Sequence, residues 1–150
     1  MAFRNGKAAC TLCSTGTTPT PPVVSDTLEA NCLGTDAVGD WVHVTAEPAG
    51  GLYQVKKVDV TDLATMPSIG VIISKSSVTD CIIQTAGIFV TVGLTAGVPY
   101  VIGLDSQLAA APPAPTAIGK TITQGVGTAL SSTELLIAFD LIRIKRGSST

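Results

Sequence analysis

The hydrophobic pattern of this chain runs mostly with a period of two. Trp41-Val-His-Val-Thr45 puts Trp41, His43 and Thr45 on one side and Val42 and Val44 on the other, the signature of a strand. Glu47-Pro-Ala-Gly-Gly51 has the composition of a turn. Leu52 to Val60 alternates again, with Tyr53, Val55, Lys57 and Asp59 opposite Leu52, Gln54, Lys56, Val58 and Val60. Thr61 to Met66 predicts one helical turn ended by Pro67. Ile69-Gly-Val-Ile-Ile-Ser74 is a β-branched run, which predicts a strand buried on both faces. Past the polar turn Lys75–Thr79, further strands are predicted at Cys81–Thr85, Gly87–Val92 and Tyr100–Ile102. Ile118–Ala129 and Glu134–Ile144 then close the domain as strands.

The total is seven or eight strands and no long amphipathic helix. A mainly β fold is therefore expected, a small β-sandwich or barrel. Thr15-Gly-Thr-Thr-Pro-Thr-Pro-Pro22 disfavours helix and favours extended backbone. Residues 1–36 are thus read as an extended N-terminal arm, 37–146 as the β domain and 147–150 as a flexible tail. Ala109-Ala-Ala-Pro-Pro-Ala-Pro115 reads as a low-complexity loop.

Composition changes this picture in one respect. Charged residues make up 13% of the 150 and hydrophobic ones 45%, so the charged share is about half the usual value. Few charges are left to cover a monomer, and self-association that buries part of the surface is expected. A net charge of −2 argues against nucleic acid as the main partner. No apolar run reaches the length of a membrane span. Met1–Gly6 is followed by no apolar h-region, so it is not read as a signal peptide. The four cysteines are expected in a reducing compartment.

Candidate chemistry is sparse. Cys10-Thr-Leu-Cys13 has metal-ligand spacing, but Cys32, Cys81 and His43 are scattered, and a structural zinc site wants four gathered ligands. Cys10 and Cys13 stand as weak metal candidates, Cys32 and Cys81 as small core residues, and no metal or cofactor is expected. His43, the single histidine, lacks a neighbouring nucleophile or carboxylate and is read as a solvated or interface residue. Asp59 and Asp62 straddle a strand end, where turn capping is the expected duty. Gly119-Lys120-Thr121 lacks the upstream glycine of a phosphate-binding loop. No catalytic residue is assigned, and an enzyme is not expected. Arg143, Lys145 and Arg146 form a basic cluster, with Arg143 and Lys145 on one face. A solvated strand end is one reading and a docking site for an acidic neighbour the other.

Several stretches carry a resemblance: Gly39-Asp-Trp-Val42, Val55-Lys-Lys-Val-Asp59, Met66-Pro-Ser-Ile-Gly-Val-Ile72, Gly87-Ile-Phe-Val90, Gly93-Leu-Thr-Ala-Gly-Val-Pro-Tyr100 and Gly125-Val-Gly-Thr-Ala129. In layout they resemble the capsid decoration (cement) proteins of tailed phages, especially lambdoid head-decoration proteins, over about two-thirds of the chain. The arm with its paired cysteines and the Ala/Pro loop have no counterpart there. The resemblance implies a β-tulip-like body and a non-enzymatic role on the virion surface, bridging capsomers, in a chain made in the host cytoplasm. Its partners would be the major capsid protein and further copies of itself, as a homotrimer, with no nucleic acid and no membrane. Phe3, Arg4, Lys7, Val23 and Val24 in the arm, and Arg143, Lys145 and Arg146 at the strand end, are the contacts it suggests. A head-fibre or spike anchor, or a tail or baseplate module, is the alternative.

Overall fold

Gly50 and Gly51, at φ 61° and 82°, close the first hairpin in the left-handed conformation that matches strand twist. They join β2 (Trp41–Ala49) to β3 (Leu52–Lys57). With β1 (Thr27–Asn31), β4 (Gly70–Lys75) and β5 (Asp80–Gln84) these strands form a closed barrel in the order β1-β3-β2-β4-β5. The closure is made by β1, which pairs parallel with β3 and antiparallel with β5. The structure is a computed structural model and describes residues 26–114 and 120–146.

A second, five-stranded sheet packs on the barrel. It comprises β6 (Gly87–Val90), β7 (Pro99–Ile102), β8 (Leu108–Ala109), β10 (Gly125–Ala129) and β11 (Glu134–Ile137), in the order β6-β11-β10-β7-β8. A two-stranded ribbon pairs β9 (Lys120–Thr123) with β12 (Arg143–Arg146). The fold is mainly β, of the small sandwich-or-barrel kind.

The alternation in β2 and β4 explains how the two layers meet. Trp41 and Val71 face the second sheet, in a core with Val58, Val60, Phe89, Tyr100, Ile102, Val126 and Leu135. Their neighbours Val42 and Ile72 face the barrel lumen with Ala30, Cys32, Val55, Cys81 and Ile83. One wall thus serves two cores, which is why the strand starting at Gly70 is apolar on consecutive positions. Trp41 is fully buried and meets Phe89 and Phe139 edge-on, at centroid separations of 6.1 and 5.9 Å, contacts worth about 0.5–1.5 kcal/mol each.

Polar ties fix the packing. The Gln124 side chain accepts from the Ser68 backbone N–H (2.8 Å) and donates to its carbonyl (3.2 Å), while Ser68 Oγ donates to Val42 O. Ser106 Oγ donates to Trp41 O, and Gln107 Nε2 donates to an Asp40 carboxylate oxygen at 2.6 Å. The expected helical turn is a 3-10 turn at Leu63–Thr65.

Four expectations change. The arm was expected to run to residue 36, but Thr27–Asn31 is a barrel strand with Ala30 only 1% exposed. Its side-chain alternation is too short and polar to have announced itself. The strand expected over Ile118–Ala129 divides at Gln124 into β9 and β10, which belong to different sheets. Glu134–Ile144 divides likewise into β11 and β12. His43, expected to be solvated or at an interface, is buried at 8% exposure, because the wall it shares with Trp41 is covered by other elements.

Candidate interaction surface

The basic cluster lies on β12. Arg143 and Lys145 are both exposed, and the antiparallel register sets Arg143 beside Thr123, Lys145 beside Thr121 and Arg146 beside Lys120. The ribbon therefore gathers four basic positions, one of which, Lys120, the linear sequence presents only as part of a false phosphate-loop match. Arg143 makes an ion pair with Asp140 at 3.5 Å, with both side chains mostly exposed, so it adds little to stability and leaves the charge available. Ile122 beneath is fully buried, and its N–H donates to Val60 O at 2.7 Å, which anchors the ribbon to the body.

A second surface is apolar. On the outer face of the five-stranded sheet, Val90 is 71% exposed and Leu136 43%, with Val92 at 81% just beyond β6. The cross-strand pairs there are Ile88 with Leu136 and Val90 with Glu134, so a single carboxylate interrupts the patch. Its neighbour β6 is the last strand of the sheet and, among the described residues, pairs only with β11. Exposed valines on an uncharged edge strand are the arrangement that isolated proteins usually blunt with charge or proline. No charge falls between Gly87 and Gly93.

Phe3, Arg4, Lys7, Cys10, Cys13, Val23 and Val24 lie outside the described residues. Cys32 and Cys81 are free, buried and in the barrel lumen. Burial, with the Cys32 thiol beside it, pushes the Cys81 thiol up to about 12, so it stays protonated and unreactive at neutral pH. Asp59 accepts from the Thr61 N–H and hydroxyl (2.8 and 2.6 Å). These bonds hold its carboxyl below the usual range. Asp62 accepts from the Ala64 N–H. Both are turn-capping carboxylates. Desolvation lowers the pKa of His43, partly opposed by its Nδ1 contact with Val44 O. Its Nε2 is buried without a hydrogen-bond partner among the described residues. Among the described residues no group of three or more His, Cys, Asp or Glu is placed to hold a metal, and no helix is long and apolar enough to cross a membrane.

Sequence reasoning passed over Asp36 and Asp40. Asp36 is 3% exposed and accepts from the Leu33 N–H, and Asp40 is 5% exposed and accepts from the Ala37 N–H. Lys75 Nζ donates to the Asp36 carbonyl at 2.7 Å. The signal was present as two acids three positions beyond their donors, the spacing of side-chain-closed turns. No family model, curated protein or solved structure matches the chain.

Proposed function

We propose that this protein is a structural component of a tailed-phage virion that binds the outer surface of the assembled capsid and stabilises it by bridging capsomers, as a homo-oligomer. The observation that carries the reading is the uncharged, valine-exposing edge strand β6 and the outer face it shares with β11, interrupted by the single carboxylate of Glu134, on a chain with half the usual share of charge. Such a surface gains free energy by contact with protein. The basic ribbon at Arg143, Lys145 and Lys120 supplies a charged rim that would orient the protein on an acidic shell. The arm, through Phe3, Arg4 and Lys7, would add a strand to an exposed edge of the shell protein, with backbone hydrogen bonds giving affinity.

Co-sedimentation of the full chain with emptied shells tests this directly. Saturable binding at a stoichiometry of many copies per shell is expected, and removal of residues 1–19 should weaken it by at least about tenfold. Binding at only a few copies per particle would favour a fibre or tail attachment role. No binding to any part of a virion would end the proposal.

A further inference from the structure

We propose that Cys32 and Cys81 are a disulfide site, which closes the barrel seam covalently when the reduced protein meets a small-molecule disulfide such as oxidised glutathione. The inference rests on the barrel alone, and goes beyond the capsid-binding reading without depending on it.

The register of the seam sets the two thiols together. β1 and β5 run antiparallel, with Ala30 opposite Cys81 and Asn31 opposite Asp80. The Cys32 N–H donates to Thr79 O at 2.7 Å, so the ladder continues one residue past the end of β1. Cys32 and Cys81 are therefore diagonal neighbours on one face of the sheet, and that face is the lumen. Both are buried, at 4% and 3% exposure, in the core with Ala30, Val42, Val55, Ile72 and Ile83. The two thiols lie side by side, and none of these neighbours offers another sulfur or nucleophile. Diagonal Cα atoms stand about 7–8 Å apart and a disulfide takes about 4.4–6.8 Å, so closure needs a shift of roughly 1–2 Å. Cys32 has room to make it, because it lies outside β1 and the turn that follows is exposed at Leu33 and Gly34.

That turn also governs access. Lys75 faces Cys81 across the β4–β5 ladder, and its ammonium donates to Leu33 O at 3.2 Å and Asp36 O at 2.7 Å. It fastens the turn beside the thiols, and its release uncovers Cys32, the thiol at the strand end. The Cys32 thiolate attacks one sulfur of the small disulfide, which forms a mixed disulfide and expels one small thiolate. The Cys81 sulfur, giving up its proton, then attacks the Cys32 sulfur and expels the second. Two protein thiols are oxidised, one small disulfide is reduced to two thiols, and the two protons end on them. Burial keeps Cys81 protonated, so it escapes reagents in solvent and attacks only the sulfur held beside it. The second step is accordingly slow. The finished bond joins the end of β1 to the start of β5 and encloses β2, β3 and β4 in one covalent ring. Since β1 closes the barrel by pairing with β3 and β5, a long loop of the unfolded chain is constrained at the seam on which closure depends.

The test uses the full chain with Cys10→Ser and Cys13→Ser, reduced and then held with oxidised glutathione at mildly alkaline pH, both in the native state and during refolding from urea. A monomer with a Cys32–Cys81 bond, located by peptide mass mapping, is expected in one arm at least. Its urea midpoint should exceed that of the reduced protein by about 1 M or more. Cys81→Ala treated alike should show no such rise, and a rise there would overturn the assignment. Protein that stays reduced in both arms, stops at a glutathione adduct on Cys32, or links only between chains would overturn the proposal, as would a bonded form with a lowered midpoint. No readout involves shells, so failure here leaves the capsid reading standing, and the reverse.

Discussion

Replacing Gln124 by methionine isolates the polar tie between the two layers. Gln124 is 2% exposed and Ser68 3%, and the two bonds between them satisfy both backbone groups of Ser68. Methionine keeps nearly the same length but can offer neither donor nor a strong acceptor, so the Ser68 N–H and C=O are left buried and unpaired. Each such group costs about 1–3 kcal/mol, giving about 2–6 kcal/mol for the pair. That is a large fraction of a stability of about 5–15 kcal/mol. With a urea m-value of about 1–3 kcal/mol/M, the unfolding midpoint should fall by about 1–3 M at unchanged m. Gln107→Met is the control. Its amide contacts Asp40 from an exposed position, and Asp40 keeps its bond from the Ala37 N–H, so the loss should stay below about 1.5 kcal/mol. A Gln124→Met midpoint within about 0.3 M of the parent would refute the reasoning, because it would mean that water or relaxation satisfies Ser68 without the amide.

Gly127→Ala should abolish cooperative folding, because a Cβ there would sit 2.0 Å from the Leu136 carbonyl oxygen across the β10–β11 ladder. Gly93→Ala, with nothing within 4 Å of the added carbon but a φ of +80°, should cost only about 1–2 kcal/mol; soluble expression and thermal melts separate the two. For His43 the folded pKa lies below 6.5 because burial disfavours the charged ring. Above pH 6.5 neither state binds the proton and the residue is neutral in the balance. As pH falls below 6.5 the unfolded chain takes up the proton first, so stability declines through that window. His43→Gln should flatten the urea midpoint between pH 7 and 5, and an unchanged slope would assign the pH dependence to other groups. Asp59 works in the same sense at lower pH, where its depressed pKa stabilises the fold above the ordinary carboxylate range and is lost on acidification. Thr61→Ala should raise that pKa, read by NMR titration.

The sequence made the β character, the Gly50–Gly51 hairpin, the doubly buried run at Gly70 and the capping roles of Asp59 and Asp62 legible, since each is a local pattern with a local cause. It hid what depends on distant partners. β1 is found only through its pairing with β3 and β5, and its five residues carry just two apolar side chains, Leu28 and Ala30, both on one face. Gln124 looks like any polar residue inside an apolar run until Ser68, 56 positions away, is seen to need both ends of its amide. His43 occupied the face that alternation assigned to it, yet burial of that face is decided by elements far along the chain. For the surface, the basic triplet was readable while its completion by Lys120 required the register of β9 against β12.

Because β2 and β4 present Trp41 and Val71 to one core and Val42 and Ile72 to the other, neither core can open while the other stays intact. The lumen core buries too few side chains to stand without its outer cover, and the second sheet has no other wall to pack on. Barrel and sheet should therefore unfold as one unit, and the molecule supplies a reporter in each. Trp41, the only tryptophan, senses the core between layers by fluorescence. Cys32 and Cys81 sense the lumen through labelling with a thiol reagent, which the buried, protonated Cys81 resists in the native state. In a Cys10→Ser/Cys13→Ser background the two urea transitions should coincide. A lumen that becomes reactive at clearly lower urea than the fluorescence change would show that β1 peels from β3 and β5 first. The shared wall would then be two separable packings rather than one cooperative joint.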